Sequence, residues 1–470
     1  PKTPDADNFT KPNREACGSC HDDSSFAAVT PDPNDPNRTV AHVGGPQADD
    51  SMCLTCHGPG VLPPLPGTVT KSHIIPERTA SACFQYNILD ISPQPAQGQT
   101  ITVRFSVTNP SPGANPNPEA DPCPATTTYD ILNDPHFQPA GGARRLVVDV
   151  GWDTNDFNNT GSGGAPPSRT IEADALTTAV DVGAVPGTEF EVTAAVPVTA
   201  NGTGSVAVEG HPACDPVTTS CRAIVQGVVE NFLIDPTLGA AITARREVVN
   251  VITKCDRCHD VLSLHGSNRS EVGDLCVMCH NPNGTDINRR TGLPGGIGID
   301  GKTEESIDFK RLIHALHAAA ETNFDGTITH GFRRTGIVVY GFGGNPHDYS
   351  DLRFSGALWK CETCHLGSTF KLEGIWEQPA QNGILGSTID TGAIVGDPSD
   401  DLKISPTAAV CSSCHDSTVA QAHMEVNGAL FAANQATIAT NVESCAVCHG
   451  PGTIASVELV HEGGFGEEIP

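Results

Sequence analysis

The stretch Cys255-Asp256-Arg257-Cys258-His259 shows the pattern that decides how this chain folds, Cys-x-x-Cys-His. The pattern occurs seven times, and with 18 cysteines and 18 histidines in 470 residues chance would produce less than one copy. We number the motifs one to seven in chain order. Their cysteines are Cys17, Cys20, Cys53, Cys56, Cys255, Cys258, Cys276, Cys279, Cys361, Cys364, Cys411, Cys414, Cys445 and Cys448, and their histidines are His21, His57, His259, His280, His365, His415 and His449.

This spacing is that of covalent haem attachment. Two thiols three positions apart each form a thioether with a porphyrin vinyl group, and the next residue, a histidine, is an axial ligand of the iron. The alternative is a zinc site or a redox dithiol, but zinc sites do not require a histidine after every second cysteine. The sequence therefore predicts seven c-type haems. It also predicts an exported protein from which a signal peptide has been removed, and a location outside the cell or on the outer cell surface.

Four cysteines lie outside the motifs, and in an oxidising compartment an even remainder predicts disulfides. Cys214 and Cys221 enclose a turn-like loop, which favours a local bridge between them. A bridge between Cys83 and Cys123 then follows by elimination. Free buried thiols are the alternative.

Eleven histidines remain for the sixth coordination position, against three methionines, so His/Met ligation is not general here. His42 and His265 each precede the next motif with ten residues between and are closely followed by glycine, which permits a flexible approach. A predicted helix that begins near Ser306 carries two more histidines on one face at i, i+3 spacing. The predicted distal ligands are His42, His73, His265, His314, His317, His423 and His461. We predict no ligand role for His136 and His211, while His330 and His347 stay open alternatives.

The motifs divide the chain into a dihaem module at 1–80, a haem-free β-domain at 81–250 and a pentahaem module at 251–470. In the middle part, apolar residues alternate with polar ones from Ile101 to Val107, which is typical of a half-buried strand. Regular short strands of this kind indicate an antiparallel sandwich or barrel. Further predicted strands are Leu146–Val150, Thr170–Ala173, Glu189–Val196, Ser205–Glu209, Ala223–Phe232 and Glu247–Ile252.

The first and last motif pairs also form a repeat. Cys-His-Gly-Pro-Gly occurs at Cys56–Gly60 and again at Cys448–Gly452, and a histidine follows each copy. Five motifs within 251–470 leave too little chain to wrap each ring separately, so we predict short helices and loops around stacked haems. Haems in the core would also account for an aromatic content of only 5%.

Charge and hydropathy exclude some functions. A formal net charge of −28 excludes a nucleic-acid partner, which would require a basic surface, and disfavours docking on anionic lipid. No apolar run approaches the roughly 18 residues that a membrane span needs, so no membrane span is predicted.

The chain resembles the OmcA/MtrC-type outer-surface multihaem cytochromes. The similar stretches run from Cys255 through His265-Gly266 to Cys276-Val277-Met278-Cys279-His280-Asn281-Pro282, and include Ile313-His314-Ala315-Leu316-His317 and Ala422-His423-Met424. The resemblance implies a split β-barrel followed by a pentahaem module, and haems that each have two histidine ligands. The family plan has two barrels and two pentahaem modules, so seven haems instead of ten would be a shortened version.

The resemblance and the motifs together predict an electron-transfer protein without a dedicated active site. The expected partners are extracellular metal oxides or other external acceptors, and other multihaem cytochromes or copies of the chain itself joined head-to-tail into a filament. The alternative is a multihaem reductase with one five-coordinate catalytic haem. A third interpretation makes the β-domain an adhesion or ligand-binding module.

Overall fold

The computed structural model describes residues 12–18, 21, 24–27, 40–58, 69–92, 98, 100–117, 122–138, 144–162, 169–217, 220–235, 241–319, 321–322, 328–329, 333, 335–352, 354 and 356–462. The chain divides into two compact units. The first comprises 1–83 and 109–127, and the second comprises 84–108 and 128–470. Cys20 and His330 lie outside the described residues.

The first unit has short helices that carry or flank the first two motifs. Its elements are α1 (Arg14–Gly18), β1 (Ser24–Ser25), β2 (Val40–Ala41), α2 (Cys53–His57), α3 (Val69–Ser72) and α4 (Pro76–Ser81). Arg14 links the two motifs, because its Nε donates to Asp50 Oδ1 at 2.8 Å and its Nη1 donates to the Gln47 carbonyl at 2.9 Å. Loops and one-turn helices dominate this unit, as the sequence predicts.

The strand-rich part of the second unit consists of two antiparallel sheets of four strands. Its elements are β3 (Gln85–Ser92), β4 (Thr100–Thr108), β5 (Arg145–Trp152), β6 (Ile171–Asp174), α5 (Ala175–Thr178), β7 (Val180–Asp181), β8 (Phe190–Ala195), β9 (Thr203–His211) and β10 (Val228–Leu233). The strand orders are β10-β9-β5-β6 and β3-β4-β8-β7. Because β3 lies beside β10 and β6 beside β8, the two sheets close on each other as a flattened barrel.

The burial of these strands explains their sequences. On β4 the apolar residues Ile101, Val103, Phe105 and Val107 are buried, as the alternation predicts. Every residue of β9 is buried, because its second face packs against the motif-four region through Ala207. A strand that is covered on both faces loses the alternation of apolar and polar residues, so the sequence of β9 is less typical of a strand than that of β4.

The rest of the second unit carries motifs three to seven on short helices. Its helices are α6 (Asp256–His259), α7 (Gly273–Cys279), α8 (Ile287–Arg290), α9 (Phe309–His317), α10 (Pro406–Cys411), α11 (Thr418–Val426), α12 (Gln435–Thr440), α13 (Cys445–His449) and α14 (Val457–Glu462). Its strands pair as hairpins: β11 (Ser263–Leu264) with β12 (Arg269–Ser270), β13 (Glu321–Thr322) with β14 (Ile328–Thr329), β15 (Val338–Tyr340) with β16 (Pro346–Asp348), and β17 (Ser387–Asp390) with β18 (Leu402–Ile404). Motif five lies on the 3₁₀ turn Cys361–Thr363.

Three local predictions were wrong. Glu247–Ile252 is not a strand: Val251–Cys255 forms a π-helix, capped by the Asn250 side chain, which accepts from Thr253 N at 3.0 Å. The helix expected near Ser306 begins after Asp308 instead, because Ser306 is buried in a bridge to Thr285. The strand predicted from Ala223 begins only at Val228.

The second unit also contains a structural ion-pair network. Asp286 is buried and accepts from both Arg290 Nε and the backbone N–H groups of Glu305 and Tyr340, at 2.7–2.9 Å. Arg290 also pairs with Asp300 at 2.7 Å. This network fixes the loop that connects motif four to α9.

The structure joins Cys83 to Cys123 and Cys214 to Cys221. The two cysteines of the first pair both lie in the first unit, while the second pair closes a loop after β9. Among the described cysteines, the thirteen of the motifs are all outside disulfides.

We expect both disulfides to stabilise the fold without affecting the motifs. The bridges close sequence separations of 40 and 7 residues, so the loop-entropy estimate gives about 4 kcal/mol for Cys83–Cys123 and about 2.5 kcal/mol for Cys214–Cys221. Replacing each pair with alanine and following denaturant unfolding tests this order. Haem content should be unchanged in both variants, and an unaltered unfolding curve for either would contradict a stapling role.

Candidate cofactor sites: seven imidazole pairs

In the structure, the imidazole ring of each motif histidine lies close to the imidazole ring of a second histidine. Ring centroids in these pairs are 5.9–6.2 Å apart. The pairs are His21 with His73, His42 with His57, His259 with His317, His265 with His280, His314 with His365, His415 with His461, and His423 with His449. In each pair, the histidine that lies outside the motif is one of the seven that the sequence predicts as distal ligands.

The separation of the rings is that of two imidazoles on one metal ion. An ion midway between two ring nitrogens, with metal–imidazole distances of about 2.0–2.1 Å, puts the ring centroids roughly 6 Å apart. None of the fourteen histidines is fully buried by protein atoms. A six-coordinate haem with two histidine ligands takes both axial ligands from the protein, and each pair supplies two. The geometry therefore fits the group that the motifs predict.

Hydrogen bonds hold the rings in the tautomer that a metal requires. One imidazole of each pair bonds a backbone carbonyl through Nδ1, at 2.5–3.1 Å, so that Nδ1 carries the proton and Nε2 keeps its lone pair. Four of these rings bond the carbonyl four residues back; three of the four are on helices, and His73 directly follows α3. The seven are His42, His73, His280, His314, His317, His449 and His461.

The pairs follow a crossed order that repeats three times. In motifs one and two, the first motif histidine pairs with a histidine after the second motif, and the second pairs with one between the motifs. Motifs three and four show the same order, and so do motifs six and seven. Motif five belongs to none of these three motif pairs. Its histidine, His365, pairs with His314, which lies three residues before His317. The sequence revealed only the first and last copies, because the middle one lacks the Gly-Pro-Gly string.

The motifs of the second unit lie next to one another. Lys254, just before motif three, donates to the Glu362 carbonyl inside motif five at 2.7 Å. Glu443, just before motif seven, accepts from Ser405 Oγ and the backbone of Thr407 and Ala408 at the start of α10, at 2.7–2.9 Å.

Electrostatic interactions between cysteine thiols indicate further pairs of neighbouring motifs. Burial raises the pKa of Cys276, Cys255, Cys414 and Cys411, and the charge of a thiol in a neighbouring motif adds to it. The neighbour of Cys276 is Cys255, that of Cys255 is Cys364, that of Cys414 is Cys361 and that of Cys411 is Cys445. Thiols of motifs four and three, three and five, five and six, and six and seven are therefore close enough to interact electrostatically.

The described histidines outside the seven pairs make other contacts or are buried. His136 bonds Asp134 Oδ1 at 2.8 Å beside Phe84 and Tyr129, and His211 is buried at the end of β9. His347 stacks on Tyr349 and contacts no motif histidine in the ring contacts of the described residues.

In the part of the chain that the structure describes, no helix is long and apolar enough to cross a membrane. The same residues include no group of three or more His, Cys, Asp or Glu side chains suited to a metal ion, which is the ligand number that zinc sites use.

Sequence reasoning missed the polar residues by which the barrel contacts motif four. Asp149 and Glu209 are buried on adjacent strands, where Thr170 Oγ1 donates to Asp149 Oδ1 at 2.8 Å and Arg145 Nη2 donates to Glu209 Oε1 at 2.9 Å. Thr170 Oγ1 also lies 3.5 Å from Cys279 Sγ. A charged residue inside an otherwise apolar strand was the signal available.

Burial raises the pKa of both carboxyls, although arginine charges oppose the shift. Because the folded state then binds more protons than the unfolded state above the ordinary carboxyl pKa, the free energy of unfolding should fall as the pH rises through that window. We expect Asp149→Asn to remove part of this slope, so that the variant gains stability relative to the parent as the pH rises. Each unit of pKa shift corresponds to about 1.4 kcal/mol.

Denaturant unfolding at several pH values measures this effect. The control is Glu230→Gln, which alters an exposed carboxylate of β10 and should leave the slope unchanged. A parallel pH dependence of Asp149→Asn and the parent would contradict the prediction.

A flattened barrel followed by short helices with Cys-x-x-Cys-His motifs and paired imidazoles defines the class of the multihaem c-type cytochromes. Residues 246–462 match the family described as outer membrane cytochrome MtrC/MtrF-like, domains II/IV. No sequence among the curated proteins matches the chain.

The fold is similar to that in the crystal structure of the outer membrane decahaem cytochrome OmcA. The TM-score is 0.54 at 17% sequence identity, over 95% of this chain and 56% of OmcA. The chain therefore spans little more than half the length of that relative. At this identity the likeness concerns the fold alone.

Proposed function

We propose that the chain binds seven haems, each through one motif and one imidazole pair, and relays electrons outside the cell. The observation that supports this most is that every motif histidine has an opposite imidazole about 6 Å away. Haem supplies one-electron chemistry, while the protein supplies ligands, spacing and electrostatics. The residues that hold it are the motif cysteines, the motif histidines and His42, His73, His265, His314, His317, His423 and His461.

Paired imidazoles favour a relay over an enzyme. A substrate that reacts at iron needs a free coordination position, and the pairs leave none in the seven motifs. The reductase alternative requires one motif histidine without an opposite ring, and no such histidine is found among the described motifs. We therefore propose an electron-transfer protein without a dedicated active site.

The order of the motifs in the second unit supports a continuous path. Motifs four, three, five, six and seven are successive neighbours, so electrons would pass along this series in either direction. External acceptors such as metal oxides would be reached from exposed ends of the series. The net charge of −28 favours cationic acceptors and keeps separate chains from aggregating.

Oxidation by a solid acceptor tests the function. We expect the fully reduced protein to transfer seven electrons per chain to excess ferric oxide, followed by the visible haem bands. A substrate such as nitrite or sulfite should neither bind to the oxidised protein nor change its spectrum. Turnover of either substrate would favour the reductase alternative, and retention of electrons by the reduced protein would contradict the relay.

We propose further that copies of the chain associate head-to-tail with one another, because the dihaem units of motifs one and two and of motifs six and seven share the crossed pairing order. Electron microscopy of the purified protein should show filaments with one chain per repeat. Monomers alone under native conditions, by microscopy and light scattering, would contradict this association and leave the relay proposal intact.

A further inference from the structure

The hairpin β11–β12 holds His265 in an unusual backbone conformation. His265, Gly266 and Ser267 have φ values of 56°, 74° and 68°, so two residues with side chains are in the left-handed region. Such residues are strained and persist only where their surroundings enforce the conformation. His265 is the partner of His280 in the motif-four pair.

The barrel holds the hairpin in this conformation by contacts to three of its residues. Arg222 Nη1, just beyond the Cys214–Cys221 loop, donates to the Gly266 carbonyl at 2.8 Å. A Cβ at position 266 would lie 2.6 Å from the same nitrogen, so glycine is needed there for the close approach as well as for its φ. Gly227 N donates to the Ser270 carbonyl at 3.1 Å, and Arg269 pairs with Glu172 at 3.4 Å and with the buried Glu209 at 3.6 Å.

The barrel also fixes the opposite ligand of the same pair. Asn159 Nδ2 donates to the Met278 carbonyl at 2.7 Å, while its Oδ1 accepts from Trp152 N at 2.8 Å. Phe157 and Ala207 pack against Leu275 and Met278 of α7, the helix that leads into His280. The barrel thus contacts both elements whose separation sets the distance between the two imidazoles.

We propose that the barrel positions the motif-four imidazole pair, and that Arg222 and Arg269 are positioning residues that hold His265 opposite His280. This inference rests on the proposed role of these two histidines as axial ligands. The haem-free domain is then part of one cofactor site, and its removal would weaken that site while the hairpin relaxes toward ordinary backbone angles. We expect the effect to be confined to one haem in seven, because Arg222 and Arg269 contact the hairpin that carries His265.

Binding of cyanide to the oxidised, haem-loaded protein tests the proposal, since an added ligand enters only where an axial histidine has left. The variants are His265→Ala, Arg222→Ala, Arg222→Lys and the double variant Arg222→Ala with Arg269→Gln. The control is Arg144→Ala, because Arg144 also donates to a backbone carbonyl, that of Pro216 in the disulfide loop, at 3.3 Å, but does so away from the hairpin. High-spin ferric signals in electron paramagnetic resonance give a second readout.

We expect one equivalent of cyanide per chain for His265→Ala and for the double variant, a part of one equivalent for Arg222→Ala, and none for Arg222→Lys or Arg144→Ala. If His265→Ala binds cyanide but both arginine variants bind none and stay fully low-spin, the inference is overturned and the ligand assignment survives. If His265→Ala itself binds none, the ligand assignment is overturned and the inference falls with it.

Discussion

Replacing His317 with alanine is expected to open one haem iron, and replacing His314 is expected to open a different one. The two side chains are three residues apart on α9, yet their rings lie 6.2 Å from His259 and 6.0 Å from His365 respectively. Each variant should therefore convert one of seven ferric haems from low-spin to high-spin. The double variant should convert two, because no iron is shared.

Spin quantitation by electron paramagnetic resonance measures these fractions. The control is His347→Ala, since His347 stacks on Tyr349 and should leave all seven haems low-spin. If the double variant opened no more haem than either single variant, the two histidines would serve one iron and the assignment of α9 would be wrong.

Replacing Asp286 with alanine is expected to lower the free energy of unfolding by about 3 kcal/mol, the lower part of the range for breaking a buried ion pair. The loss stays at this level because Arg290 keeps Asp300 as a partner. Asp286 also accepts from the backbone of Glu305 and Tyr340, so its removal leaves buried N–H groups without an acceptor. Its role is structural, because it holds the loop before α9.

Denaturant unfolding of the haem-loaded protein tests this expectation. The control is Asp397→Asn, which removes the charge of a carboxylate that accepts an exposed hydrogen bond from Ser399 N and should cost less than about 0.5 kcal/mol. We expect both variants to contain all seven haems and to be fully low-spin under native conditions. A loss of stability no larger for Asp286→Ala than for Asp397→Asn would contradict the structural role.

The spacing of histidines around the motifs predicts a set of ligand candidates, because local constraints act on them. His42 and His265 lie between two motifs and can reach only a nearby ring, and the histidines of α9 share one helix face. The structure pairs this whole set with the motif histidines. The pairing itself was beyond the sequence, because the partners of His21 and His259 lie 52 and 58 positions away and depend on how the helices pack.

The barrel was predictable where strands alternate and less so where they are buried on both faces. β4 has a clean period of two, whereas β9 is buried along its whole length and carries Glu209 against motif four. Val251 and Ile252 have a strand-like composition, but the Asn250 cap turns the chain into a helix that ends at the motif-three cysteine. The contacts of Arg222 and Arg269 join distant parts of the chain, so no local pattern in the sequence indicated them.

The most direct test of the relay is a coulometric titration of the purified protein followed by its visible and near-infrared magnetic circular dichroism spectra. The proposal predicts that seven electrons enter each chain and that bis-histidine low-spin bands account for all of the ferric haem throughout. Fewer than seven electrons, or a high-spin band in the oxidised protein, would contradict it.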